Sequence, residues 1–168
     1  YLNKLFNVNF ELTENLDYQN VIAISQNYQE NTAGYAYSPG SSKDPEGSDV
    51  FISNDYSNPI IYKNGSNYDF EVLLHEISHA LGLKHSFEPF GQNNTVLPVE
   101  EEHVENTVMS YFGELEVYPA KLRDFDIFAL TKVYALNAKI NSGDNAYAFS
   151  RDQGILIFDA GGVDVIEL

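Results

Sequence analysis

The sequence predicts an α+β domain in which short strands come first and two helices follow. Three observations carry this. Apolar runs of strand length fall before residue 54. The apolar period changes to that of a helix just before residue 70, and again near residue 120. Between the two helical stretches lies a long segment broken by Pro, Gly and Asn, with no period at all.

Taken in order, Tyr1 to Phe6 reads as the end of a helix. Phe6 to Leu12 alternates apolar and polar residues, which predicts a half-buried strand. Val21-Ile22-Ala23-Ile24-Ser25 is a second strand, apolar enough to be central. Thr32 to Ser38 is a third, centred on Gly34-Tyr35-Ala36-Tyr37, and Asp49 to Ser53 is a fourth. Pro39 to Ser42 and Asp44 to Gly47 are turn material, and Asn54 to Ser66 is a loop.

The main helix follows. Ser66 or Asn67 suits its N-cap, and Asp69 and Glu71 in the first turn complement its dipole. Phe70, Leu73, Leu74, Ile77 and Leu81 share a core-facing stripe, which turns His75 and His79 toward a cleft. Ser86 to Thr107 is a long irregular loop holding the acidic run Glu100-Glu101-Glu102, read as solvated surface, and His103, read as an exposed loop residue. Val108 to Tyr111 is a short segment carrying the single Met. Pro119 to Asn137 is the second helix, with Leu122, Phe125, Ile127, Leu130, Val133 and Tyr134 on its apolar face and Asn137 as C-cap. From Asn141 the character changes to turns and short strands: Ala146 to Phe149, Ile155 to Phe158 and a last strand from Val165.

The chemistry sits at His75 to His85, which reads H-E-x-x-H-x-x-G-x-x-H. Positions i and i+4 of a helix share a face, so His75 and His79 can hold one metal ion. Gly82 lets the chain leave the helix through a left-handed conformation that other residues resist, which brings His85 back as a third ligand. Three imidazoles leave a fourth tetrahedral position open to water, the arrangement of a catalytic zinc. Glu76 stands where it can take a proton from that water.

Composition bounds the alternatives. The chain has 168 residues, 25 acidic and 9 basic, with a formal charge of −16. That excess disfavours nucleic acid and anionic membranes as partners. The chain has no cysteine, so histidine must carry any zinc site. No apolar run has the roughly 18 residues of a membrane span. The chain opens at Tyr1 without an initiator Met or signal peptide, as expected of a processed form or an excised piece.

With Met109, the zinc motif resembles the metzincin zinc endopeptidases, and finer features resemble the serralysin family of secreted bacterial proteases. Thr32 to Gly40 is similar to the family's segment before the catalytic helix. Met109-Ser110-Tyr111 resembles its S-V-M-S-Y turn, with Thr107 where a Ser is usual. Asp126-Ile127-Phe128-Ala129-Leu130 resembles its D-I-x-A helix. The resemblance implies a zincin domain with a twisted, mostly parallel sheet, a catalytic helix and a C-terminal helix, followed by a short β tail. It implies a catalytic domain over residues 1–140 and the start of a calcium-binding β-repeat region over 141–168; the ending in mid-strand at Leu168 suggests further repeats that are left out or belong to a different architecture.

The resemblance further implies zinc on His75, His79 and His85, Glu76 as general base, and Met109 as an apolar floor beneath the metal. A plain core Met is the alternative there. Tyr111 would be an exchangeable fifth ligand that stabilises the oxyanion, or else a core tyrosine. Gly34, Tyr35, Ala36 and Tyr37 would pair with an extended peptide substrate. Asn141, Gly143, Asn145, Asp159, Gly161 and Asp164 would offer oxygen ligands to calcium. An Arg is usual at Asn141 and a Thr at Asn145, and two ordinary Gly/Asp turns are the alternative. Implied partners are protein or peptide substrates and a proteinaceous inhibitor, and the implied location is extracellular. The competing function is a non-catalytic zinc- and calcium-stabilised module of a larger adhesin or toxin.

Overall fold

The computed structural model describes residues 1–15, 21–40, 47–54, 68–113, 115, 118, 120–149 and 156–167. The expected N-cap at Ser66 or Asn67, most of the loop before it, and the turn around Asp44 lie outside the described residues. The described chain is mixed α+β. Its elements run α1 (Leu2–Leu5), β1 (Ile24–Asn27), β2 (Gly34–Ala36), β3 (Val50–Ser53), α2 (Tyr68–Ala80), α3 (Asp124–Tyr134), β4 (Ala146–Ala148) and β5 (Val165–Glu167). Two compact units result, one of Thr13–Asp126 and one of Tyr1–Leu12 with Ile127–Leu168.

In the larger unit the strands form a sheet of order β1-β3-β2. β1 pairs with β3 in parallel, Ile24 beside Val50, and β2 pairs with β3 antiparallel, Gly34 beside Ile52. Among the described strands, the one expected to be central is thus an edge. It begins at Ile24 rather than Val21, and Ile24 is exposed. Apolar content made it look interior, but the sheet buries β3 instead, where Val50 is fully enclosed. On the exposed side Tyr35 stacks on Phe51 at 4.8 Å, with Tyr37 edge-on. Alternation in the strand then turns Gly34 and Ala36 the other way.

Helix α2 packs against β2 and β3. The expected stripe is only half right. Leu74 and Leu81 are buried, but Phe70 is exposed, while Glu71, His75, Glu76 and Ser78 are buried. The polar side of this helix is therefore enclosed too: Val108 O accepts from His75, Arg123 grips Glu71, and Gly34 lies against Glu76. The helix ends at a Gly C-cap: Gly82 has φ 102°, its N–H donates to His79 O, and Leu83 N–H donates to Ser78 O.

The remaining expectations need correction at their ends. Phe6 to Leu12 forms no strand; Phe6 makes only an isolated bridge to Leu136. Local alternation there is not matched by a partner strand among the described residues. The second helix starts at Asp124, not Pro119, and its left-handed residue is Ala135 (φ 55°), not Asn137. Asn137 is occupied elsewhere, with its side-chain amide on Asn3 O and its N–H on Leu5 O. Val133, expected in the core, is exposed, whereas Leu130 and Phe6 are fully buried. Leu156 to Phe158 is not a strand, and β4 pairs in parallel with β5.

Candidate metal centre

The helix and its cap bring three imidazoles to one point. His75 and His79 come from successive turns of α2, and His85 arrives after the Gly82 turn. His85 Nε2 lies 3.2 Å from His75 Nε2 and 3.1 Å from His79 Nε2. The opposite ring nitrogens are all engaged. His75 Nδ1 donates to Val108 O at 2.6 Å, His79 Nδ1 to Leu83 O at 2.8 Å, and His85 Nδ1 to Glu88 Oε1 at 2.5 Å. Carbonyls and a carboxylate can only accept, so the protons sit on Nδ1 and three Nε2 lone pairs converge. Facing lone pairs repel unless a cation lies between them. Zinc–imidazole bonds of about 2.0–2.1 Å in a tetrahedron put the nitrogens about 3.3 Å apart, close to what is seen. These three residues are the one group of this kind among the described residues.

Electrostatics favour neutral imidazoles. Burial, then the neighbouring His79 and His85, push the His75 pKa down to about 3, against the opposing bond to Val108 O. Burial lowers His79 as well. Beside them, burial raises the Glu76 carboxyl to about 7. Glu76 Oε2 is buried with no hydrogen-bond partner among the described residues. Burying a carboxylate oxygen unpaired is costly, so such an oxygen calls for a functional explanation. Tyr111 is exposed, not a core residue, and its hydroxyl lies 2.9 Å from His85 Nε2.

The Met turn is held from below. Met109 is buried. Thr107 Oγ1 donates to Asp126 Oδ1 at 2.5 Å and accepts from Met109 N–H at 3.0 Å. The turn needs a hydroxyl at 107, and Thr supplies it. Asp126 Oδ2 accepts from the N–H groups of Val108 and Arg123 at 2.9 and 2.8 Å. Arg123 in turn grips both carboxylate oxygens of Glu71 on α2, at 2.8 and 2.9 Å. From the sequence, Glu71 is expected only to complement the helix dipole, Asp126 only to carry a family likeness, and Arg123 has no expected role. The usable signal was an Asp at the start of a helix with a hydroxyl residue in the preceding turn.

A cavity of about 520 Å³ opens beside His75 and Glu76. Its walls include Gly34, Tyr68, Val72, Val104, Val108 and Tyr118. Gly34 is on β2, which has β3 as its strand partner on one side and no strand on the other among the described residues. Tyr35, Ala36 and Tyr37 continue along this edge. His103, expected to be exposed, is half-buried against Gly113, and its Nδ1 accepts from Glu105 N–H. The acidic run is not wholly solvated either, since Glu102 accepts from the Ser86 hydroxyl at 2.7 Å.

A family model described as Metallo-peptidase family M12B Reprolysin-like matches residues 13–120. The chain belongs to this metallopeptidase family. Among individual proteins it is similar to metallopeptidase AprA of Pseudomonas marginalis, 25% identical over 168 residues, covering 83% of this chain and 35% of that protein. Serralysin C of Dickeya chrysanthemi is 30% identical over 164 residues, 81% of this chain and 33% of that protein. Serralysin of Proteus mirabilis is 30% identical over 105 residues, 56% and 21% respectively. The resemblance to metzincins, and among them to serralysins, is borne out. This metallopeptidase chain spans about a third or less of the length of these relatives.

In the smaller unit the two tail turns meet. Asn145 N–H donates to Asp164 Oδ1 at 3.0 Å, and Gly161 N–H to Asp159 Oδ1 at 2.7 Å. Asn141 is left-handed at φ 46°, and its amide donates to Phe158 O. The Asn145 amide caps both Asn141 O and Gly143 O. No helix of the described residues is long and apolar enough to cross a membrane.

Proposed function

We propose that this chain is the catalytic region of a secreted zinc endopeptidase, with His75, His79 and His85 as metal ligands and Glu76 as general base. The observation that carries the reading is the convergence of three Nε2 lone pairs beside the buried Oε2 of Glu76, which has no partner among the described residues. Zinc held there would polarise a peptide carbonyl and make water acidic enough to lose a proton near neutral pH. Glu76 takes that proton and returns it to the leaving amine. Burial, which raises its carboxyl toward 7, suits a group that must both accept and give a proton. The Tyr111 phenol, beside His85, donates to the oxyanion. Gly34 to Tyr37 pair with the extended substrate, a reading supported by the open edge of β2. The apolar and aromatic walls of the cavity suit an apolar substrate side chain.

The finer fold and tail assignments belong to the same reading. They are a twisted, mostly parallel sheet and a boundary near residue 140. The tail after that boundary begins a calcium-binding repeat region, with Asn141, Gly143, Asn145, Asp159, Gly161 and Asp164 around the ion.

The deciding experiment is peptide cleavage by wild type and Glu76→Gln. The variant keeps its zinc and fold and loses cleavage by about a hundredfold or more. Equal cleavage by both proteins refutes the role of Glu76. A wild type that holds zinc but cleaves no member of a peptide library points instead to a non-catalytic module.

A further inference from the structure

The three histidines are not held alike. His75 and His79 stand on a helix and donate to backbone carbonyls, whereas His85 stands beyond the helix and donates to a side chain, the carboxylate of Glu88. We infer that Glu88 is the positioning residue of the third ligand, fixing the ring tautomer of His85 and strengthening its donor nitrogen; this rests on the zinc reading above.

Four further contacts support a built device rather than a chance surface pair. Lys84 Nζ donates to both His85 O and Glu88 O, at 3.0 and 2.7 Å, and so closes the short turn that joins ligand and carboxylate. The Phe87 ring lies nearly parallel to the His85 ring, 5.1 Å between centroids and 7° between planes. Tyr111 packs on the same imidazole from another side, 4.7 Å between centroids. A residue outside the helix needs such contacts, since no helical turn fixes its rotamer. A carboxylate on the distal nitrogen also pushes electron density toward the metal-facing nitrogen more than a carbonyl does. His85 is thereby made the ligand with an ionic partner, at the least constrained position of the three.

The test uses the whole chain and zinc itself. Zinc affinity is measured by competition with a chromophoric chelator for wild type, Glu88→Gln and Glu88→Ala. Melting of the zinc-free proteins and ¹⁵N shifts of the His85 ring are recorded alongside. Glu88→Ala is expected to weaken zinc binding by about 10- to 100-fold, with a mixture of His85 tautomers and unchanged zinc-free melting. Glu88→Gln, which keeps an acceptor but not the charge, should fall between. Unchanged affinity in Glu88→Ala overturns the inference. So does an affinity loss matched by an equal loss of zinc-free stability, which would make Glu88 merely structural. A wild type that binds no zinc refutes the zinc reading itself and this inference with it.

Discussion

Gly34 and Glu76 are in contact so close that no side chain fits between them. A Cβ at position 34 would lie 2.9 Å from Glu76 Cγ and 3.0 Å from its Oε1. The backbone at Gly34 is ordinary strand, so the glycine is required for space and not for conformation. Strand β2 and the proposed base are therefore built as one surface.

Gly34→Ala should consequently damage chemistry. The new methyl group meets Glu76 Cγ, in the middle of a buried side chain, so the carboxyl group has to leave its place beside the histidines. The expected result is a fall in kcat of tenfold or more, with zinc content unchanged. Full activity in this variant would show that Glu76 has freedom to adjust.

Asp126 is predicted to be among the most sensitive positions outside the zinc motif. Its carboxylate accepts from Thr107, Val108 and Arg123, and Val108 O orients His75. Asp126→Ala leaves those buried donors unpaired, at a cost of about 3 kcal/mol or more. Denaturant melts should show that loss, and zinc affinity should drop with it. A stable Asp126→Ala with normal zinc affinity would mean that the turn is held by packing alone.

The site was more legible in the sequence than the sheet. The zinc motif is local: eleven residues, one helix and one Gly, with each link set by helix geometry. Gly82 adopted the left-handed cap expected of it because the constraint lies within one turn. Strand identity is not local. Phe6 to Leu12 alternates well yet finds no partner strand among the described residues, and of the apolar run Val21 to Ser25 only Ile24 and Ser25 enter β1, an edge among the described strands. The supports of the site were hidden for the same reason. Glu71 and Arg123 lie 52 residues apart, and nothing in either segment announces the pairing. The space at Gly34 depends on a helix that comes some forty residues later.

The pH dependence of the zinc-free protein follows from two opposed groups. His75 titrates near 3 when folded and near 6.5 when unfolded, so the unfolded chain binds the extra proton between those values. Stability is then lost as pH falls below about 6.5. Glu76 does the reverse, with a folded value near 7 against 4.5, so it adds stability as pH falls between those limits. The two largely cancel in the wild type from about 6.5 to 4.5. Glu76→Gln removes one side of that balance. Its zinc-free form should lose stability with a steeper slope than wild type, by up to about 1.4 kcal/mol per pH unit, the Glu76 contribution that the variant lacks. Urea melts of both proteins at pH 7, 6 and 5 measure the difference, and parallel slopes would contradict it.

The tail supplies the last prediction. Its two turns present Asn141 O, Gly143 O and the carboxylates of Asp159 and Asp164, hard oxygen donors of the type calcium takes. At present these oxygens are occupied from within the protein. The Asn145 amide lies on the two carbonyls, and the Tyr147 hydroxyl donates to Asp159 Oδ2 at 2.5 Å. Calcium would have to displace the Asn145 amide, which makes binding weaker than in a site of free oxygens. At calcium about a hundredfold above its Kd, linkage gives roughly 2.7 kcal/mol of added stability. Thermal melts with millimolar calcium and with a calcium-selective chelator should therefore differ, and Asp159→Asn should abolish the difference. The Tyr147 phenol, pushed up to about 12 by its bond to Asp159, should return toward its usual range in that variant. Identical melts in calcium and chelator would mean that the hydrogen bonds between the turns suffice, and that these are ordinary turns.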